Sequence, residues 1–136
     1  MAGLTDLALR SKAHWGYDAA FMAACVAELT ITPDMLDRDL FALAVEGGRV
    51  AGFCRVSIGE SHAELEDLFV EPDLIGTGLG RALWTEAVRL ARAAGATRIE
   101  LDADPNAAAF YTAMGAAVIG QSPSGSIPGR VLPRMR

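Results

Sequence analysis

The stretch Leu65-Glu66-Asp67-Leu68-Phe69-Val70-Glu71-Pro72-Asp73-Leu74-Ile75-Gly76-Thr77-Gly78-Leu79-Gly80-Arg81-Ala82-Leu83-Trp84 decides the fold. It opens as a run of bulky apolar residues, stops at Pro72, and passes through glycines at alternate positions into a segment with helical apolar spacing. That order is strand, loop, helix. Glycines at such a junction free backbone N–H groups to point outward at the positive end of the helix dipole. The combination seats an anion such as a pyrophosphate.

Outward from this stretch, the chain reads as an alternation of helices and strands. Leu4 to Arg10 has helical spacing, with Thr5 or Asp6 as a start signal, and Gly16 breaks the polar and aromatic run Ser11 to Asp18. Asp18 caps a second helix through about Leu29, with Phe21, Met22, Cys25, Val26 and Leu29 on one face. Thr32-Pro33 starts a short third helix. Phe41 to Glu46, Val50 to Ser57 and Ala63 to Val70 form an antiparallel meander, turned at Gly47-Gly48 and around Gly59 to Ser61.

After the glycine loop, Leu79, Leu83, Ala87, Leu90 and Ala94 line one helix face, and Gly95 ends the helix. Thr97 to Ala103 alternates as a strand. Strand, helix and strand then make a right-handed βαβ crossover with its two strands parallel. Pro105 opens a helix from Asn106 to Met114, and Ala116 to Gln121 and Arg130 to Met135 are two last strands.

Composition sets the class. A chain of 136 residues is one domain by size, 1–136, and buries roughly two thirds of its unfolded surface. Half the residues are apolar and 21% charged, the profile of a soluble globule. The net charge of −5 argues against nucleic acid, which calls for a basic face, and is compatible with a cationic or amine substrate. Cys25 and Cys54 have no Cys-x-x-Cys spacing, so neither a metal site nor a disulfide framework is expected. No signal segment opens the chain and no apolar run approaches a membrane span. The expectation is a cytoplasmic protein with no membrane partner.

The glycine loop fails two common phosphate motifs: no lysine follows the glycines as in a Walker loop, and Arg81 stands where the dinucleotide fingerprint needs its third glycine. What remains resembles the acetyl-CoA loop of the GNAT superfamily of N-acetyltransferases: Arg or Gln, two residues, Gly, one residue, then Gly or Ala. Gly78 and Gly80 fit it, and Ile75 occupies the Arg/Gln position. A second stretch, Asp104-Pro105-Asn106-Ala107-Ala108-Ala109-Phe110-Tyr111-Thr112-Ala113-Met114-Gly115, resembles that family's Asn-x-x-Ala-x-x-Phe-Tyr-x-x-x-Gly signature. Ala107, Phe110, Tyr111 and Gly115 fall in register. Asp104 stands at the usual Asn position and Asn106 two residues later, leaving open which meets the pantetheine arm.

The resemblance implies an α/β (α+β) fold: a mixed, mostly antiparallel twisted sheet with a central parallel strand pair, flanked by helices. The family's first strand has almost no room before Leu4, so either the sheet lacks it or another chain supplies an edge, a homodimer being one arrangement. The resemblance also implies direct transfer of an acetyl group from acetyl-CoA, a co-substrate, to a primary amine in a ternary complex, with no metal. On that reading Leu68, Val70, Ile75, Gly76, Thr77, Gly78, Leu79, Gly80, Arg81, Asn106 and Phe110 hold the coenzyme. Tyr111 is the general acid for the thiolate, and Glu66 or Glu64, on one strand face by alternation, is the base. Asp67 faces the other way unless a bulge intervenes. His14, Trp15 and Tyr17 are candidate contacts to a small-molecule or peptide acceptor. A non-catalytic acyl-CoA-binding module, or a structural subunit completing its sheet through a partner, are the alternatives.

Overall fold

A computed structural model describes residues 2–136. Three helices come first: α1 (Ala2–Ala13), α2 (Ala19–Leu29) and α3 (Pro33–Arg38). Strands β1 (Leu40–Glu46), β2 (Arg49–Ile58) and β3 (Ala63–Val70) follow, then α4 (Leu79–Ala93), β4 (Ile99–Asp102), α5 (Ala108–Ala113), β5 (Val118–Pro123) and β6 (Val131–Met135). The caps read from sequence are in place. The Asp18 carboxylate accepts from the Phe21 amide at 2.7 Å, and Thr32 caps α3 with Pro33 at its first position. A cap of this kind contributes about 1 kcal/mol. Thr5 does not cap α1, which starts at Ala2; its hydroxyl accepts from the Ile31 amide instead.

The six strands lie in the order β1-β2-β3-β4-β6-β5, all neighbours antiparallel except the parallel pair β3-β4. This is the expected mixed sheet. No strand precedes β1 among the described residues, and Leu43 and Val45 stand exposed on that edge strand.

Each face of the sheet carries its own core. On one, Cys54, Val56, Leu65 and Leu101 pack against Leu83, Ala87 and Ala91 of α4 and Tyr111 of α5. On the other, Phe53 meets Leu4, Leu7 and Ala8 of α1 and Cys25 and Leu29 of α2. Two positions depart from the sequence reading: Ala91, rather than Ala94, continues the buried stripe of α4, and Val26 turns outward from α2. Both are single-residue errors of phase at helix ends, where packing geometry overrides the average 3.6-residue period. Gly52 lets α4 lie close on the sheet: a Cβ there would stand 2.9 Å from Leu83 Cδ1 and 2.9 Å from the Phe69 carbonyl oxygen.

Both cysteines are buried and free, and burial pushes the Cys54 thiol up to about 11. Among the described residues, no helix is long and apolar enough to cross a membrane.

Candidate active site

The parallel pairing of β3 with β4 is brief: Ala63 opposes Ile99, Glu64 opposes Glu100, and the two strands then part. Past that point β4 pairs with β6, and the Ala103 amide donates to the Pro133 carbonyl. The flank of β3 from Leu65 to Val70 that faces β4 has no strand partner, although a strand carries a polar backbone group on that side every second residue. A cleft of about 580 Å³ opens there, lined by Leu65 to Val70, the glycine loop, Asn106, Phe110 and Tyr111. Unpaired backbone N–H and C=O groups along a cleft wall are ready to bind an amide-bearing chain laid beside them.

At the far end of β3 the chain turns into α4. Gly76 and Gly78 have φ of +87° and +90°, a left-handed conformation that glycine adopts without strain, and Gly78 is the N-cap of α4. The turn consumes three amides: Leu74 donates to Glu71, Ile75 to Pro72 and Thr77 to Leu74. Those of Gly76, Gly78, Leu79, Gly80 and Arg81 make no hydrogen bond within the described residues, and the first intrahelical bond runs from Ala82 to Gly78. Five free amides at the positive end of a 15-residue helix form an anion seat. Gly80 packs tightly against Phe110; a Cβ there would come within 3.3 Å of the ring. Arg81 lines the cleft at the first turn of α4 and pairs with no carboxylate among the described residues.

Tyr111, on α5, reaches the same cleft from below. Trp84 and Phe110 pack edge-on to its ring, and the residue is only 7% exposed. Its hydroxyl makes no hydrogen bond to any described residue. Yet among the described residues no buried side-chain oxygen is left without a partner, so this oxygen must open onto the cleft. Burial first, and the charge of Asp67 next, raise its pKa well above that of an ordinary phenol. It is held as the neutral hydroxyl, a proton donor.

The Acetyltransferase (GNAT) family model matches residues 8–116. The chain belongs to the GNAT acetyltransferase family. Solved structures agree. A GCN5-related N-acetyltransferase from Rhodopseudomonas palustris superposes with a TM-score of 0.79 at 25% identity, covering 98% of this chain and 86% of that one. The PaiA N-acetyltransferase of Thermoplasma acidophilum, in complex with coenzyme A, gives a TM-score of 0.78 at 20% identity, with 98% and 89% covered. An aminoglycoside 6′-N-acetyltransferase complexed with coenzyme A gives 0.69 at 19% identity, with 98% and 87% covered. No curated protein matches the chain.

Against this GNAT frame the structure divides the residues expected to hold the coenzyme. Leu68, Val70, Ile75, Gly76, Gly78, Gly80, Arg81, Asn106 and Phe110 line the cleft. Thr77 does not; its amide and hydroxyl both donate to the Leu74 carbonyl, so it shapes the turn. The side chain of Leu79 packs into the core under α4 and leaves only its amide available.

The two carboxylates also separate. β3 carries a bulge: Val56 opposes Leu65 and Arg55 opposes Asp67, so Glu66 is the extra residue. A bulge reverses the facing of everything beyond it. Glu66, at the bulge itself, is exposed at the cleft rim, where the Ser57 hydroxyl donates to it at 3.1 Å. Loss of hydration lifts its pKa above the usual carboxylate value despite Ser57 and Arg55. Glu64 lies outside the cleft lining, gripped by both terminal nitrogens of Arg134 and by His62.

Beyond the bulge, Asp67 turns inward to a buried triad that the sequence reading did not assemble: the Arg55 Nε donates to Asp67 at 2.6 Å and its Nη1 to Asp39 at 2.7 Å. Burial pushes the Asp67 carboxyl above its ordinary range while Arg55 pulls it back.

Of the residues expected to meet the acceptor, only Trp15 lines the cleft. His14 is exposed and packs edge-on to Trp15. Tyr17 lies outside the cleft lining: it stacks on Phe21 with ring centroids 4.0 Å apart, Lys12 and Arg130 flank the stack, and its hydroxyl meets Asp104, Asn106 and Arg130. Asp104 is committed to this cluster, accepting also from Lys12 and the Asn106 amide. Burial would raise its pKa, but the Asn106 amide and Lys12 outweigh that and hold it below the usual carboxylate range. Asn106 is the exposed member of the pair.

Proposed function

We propose that this chain is a single acetyltransferase domain that transfers the acetyl group of acetyl-CoA directly to a primary amine bound in the same cleft. The observation that carries this reading is Tyr111, a deeply buried residue whose hydroxyl has no partner among the described residues and opens to the gap between β3 and β4. The residues fit the coenzyme. The free amides from Gly76 to Arg81, with the Arg81 guanidinium, suit the pyrophosphate. The unpaired flank of β3 suits the pantetheine amides, and Asn106 is placed at the second motif for the same arm.

An alkylammonium has a pKa near 10.4 and must lose a proton before its nitrogen is a nucleophile. Glu66, at the rim and with a raised pKa, accepts that proton directly or through a water. Glu64, neutralised by Arg134 and outside the cleft, does not serve this role. The amine nitrogen bonds to the thioester carbonyl carbon, and a β3 amide donates to the developing oxyanion, a contribution of about 3 kcal/mol. The carbon–sulfur bond breaks, and Tyr111 protonates the departing sulfur.

A small-molecule acceptor is favoured over a peptide, in keeping with the aminoglycoside enzyme among the structural neighbours. Ile75 in place of a polar residue at the loop favours one other reading, a module that binds acyl-CoA without turning it over. A thiol-release assay over a panel of primary amines separates the two. The transferase reading expects amine-dependent release of free CoA, and binding of acetyl-CoA with no release above background for any amine contradicts it.

A further inference from the structure

Charge is sorted along the cleft. At the glycine-loop end, Arg81 is a cation with no carboxylate partner among the described residues. Four residues upstream of Val70, about 13 Å away along the strand, the balance is reversed. Among the groups there, Lys12 pairs with Asp104, which Arg130 also meets, and Arg55 is shared between Asp39 and Asp67, with Arg38 paired to Asp39 as well, so each of these cations already has a carboxylate partner. Two lining carboxylates, Glu28 and Glu66, have no cationic partner among the described residues.

Glu28 is not loose. It sits in the last turn of α2, accepts a hydrogen bond from the Ser126 hydroxyl in the β5–β6 loop, and lies against Gly125, where a Cβ would come within 3.4 Å of its carboxyl carbon. That loop is folded onto it, with the Ser124 hydroxyl accepting from the Ser126 and Ile127 amides. The charge of Glu28 is felt at Asp67, which puts it at the same end of the cleft as Glu66. The unpartnered Tyr111 hydroxyl marks where the reacting group lies.

We infer that the acceptor carries a second cationic nitrogen besides the amine that is acetylated, and that Glu28, held by the β5–β6 loop, is the residue that recognises it. The inference rests on the acetyltransferase reading of the same cleft. Glu66 serves the reacting amine, whereas Glu28 has no part in the proton traffic and is a specificity residue. A carboxylate in water gains little from a lone ammonium. One fixed at a cleft wall, with Glu66 as a second carboxylate lacking a cationic partner at the same end, gains more from a dication and disfavours an anion.

The test compares three amines of one length: 1,5-diaminopentane, pentylamine and 5-aminopentanoate. Their binding to the CoA-loaded protein is measured by calorimetry, and their acetylation by thiol release. The expected result is diaminopentane binding at least about tenfold tighter than pentylamine and 5-aminopentanoate weaker still. In Glu28→Gln, which keeps the Ser126 contact, the diamine falls to the level of pentylamine while the affinity for CoA is unchanged. Equal binding of the diamine and the monoamine, a preference for 5-aminopentanoate, or a diamine preference that survives in Glu28→Gln overturns the inference. Thiol release reports separately on the transferase reading. Turnover of all three amines without rank sinks only the dication inference, and selective diamine binding with no acetylation of any amine sinks only the transferase.

Discussion

Tyr111→Phe is expected to lower kcat for acetyl transfer about 10²- to 10⁴-fold while leaving the fold intact. The substitution removes one oxygen. That oxygen has no partner among the described residues, so no donor or acceptor of theirs is stranded by its loss, and the ring contacts with Trp84 and Phe110 are kept. The KM for acetyl-CoA should change little, because the residue acts on the leaving sulfur and not on the phosphates. The raised pKa of Tyr111 strengthens the distinction: through the neutral range the hydroxyl stays protonated, so it contributes no falling limb to the pH–rate profile there. Steady-state kinetics together with a thermal melt decide the point. Wild-type turnover in the variant removes Tyr111 from the chemistry, and a collapsed melt makes its role structural.

Arg55→Met has the largest expected effect on stability. It leaves Asp39 and Asp67 buried without the guanidinium that both oxygens now meet at 2.7 and 2.6 Å. Breaking a buried pair in this way costs about 3–5 kcal/mol. For a domain of this size that lowers Tm by ~10–20 °C. The sign of the pH dependence follows from Asp67. Its folded pKa already lies above its unfolded value, so the folded state binds the proton more tightly, and that contribution is present at low pH and lost as pH rises through the folded pKa. Without Arg55 the shift grows. The stability deficit of the variant should therefore be greatest at neutral pH and shrink on acidification toward the ordinary carboxylate range. A deficit that widens on acidification contradicts the account of the triad.

The parts of the site that were legible in the sequence are local ones. Glycines at 76, 78 and 80 after a strand, and a Phe110-Tyr111 pair ahead of Gly115, announce backbone geometry and ring placement within a few residues of themselves. The order of strand, helix and strand was legible for the same reason, since a βαβ unit has one favoured hand. What was hidden depends on a partner strand or a distant segment. The bulge at Glu66 exists only in the register of β3 against β2, so simple alternation put Glu64 and Glu66 together and left Asp67 on the far side. The structure leaves Glu66 in the cleft lining and Glu64 outside it, and brings Asp67 to Arg55 and Asp39.

Tyr17, which looks like a free aromatic in the chain, is drawn into a cluster with Lys12, Asp104, Asn106 and Arg130 from segments more than a hundred positions apart. Composition carries no trace of such contacts. Glu28 was missed because its meaning comes from what is absent around it: Asp67, Asp102 and Asp104 of the cleft lining are ion-paired, whereas Glu28, like Glu66, has no cationic partner among the described residues.

The account depends most on the free amides of the glycine loop holding a diphosphate at the mouth of α4. The direct measurement is the rise in Tm caused by coenzyme A, set beside that caused by pantetheine, which lacks the phosphates. Coenzyme A at a hundred times its Kd is predicted to stabilise the protein by about 2.7 kcal/mol. Pantetheine at the same concentration should do far less, and Gly78→Val, which forces a β-branched residue into φ of +90°, should lose the gain from coenzyme A. Equal shifts from both compounds, or no shift from coenzyme A, would contradict the assignment of this cleft.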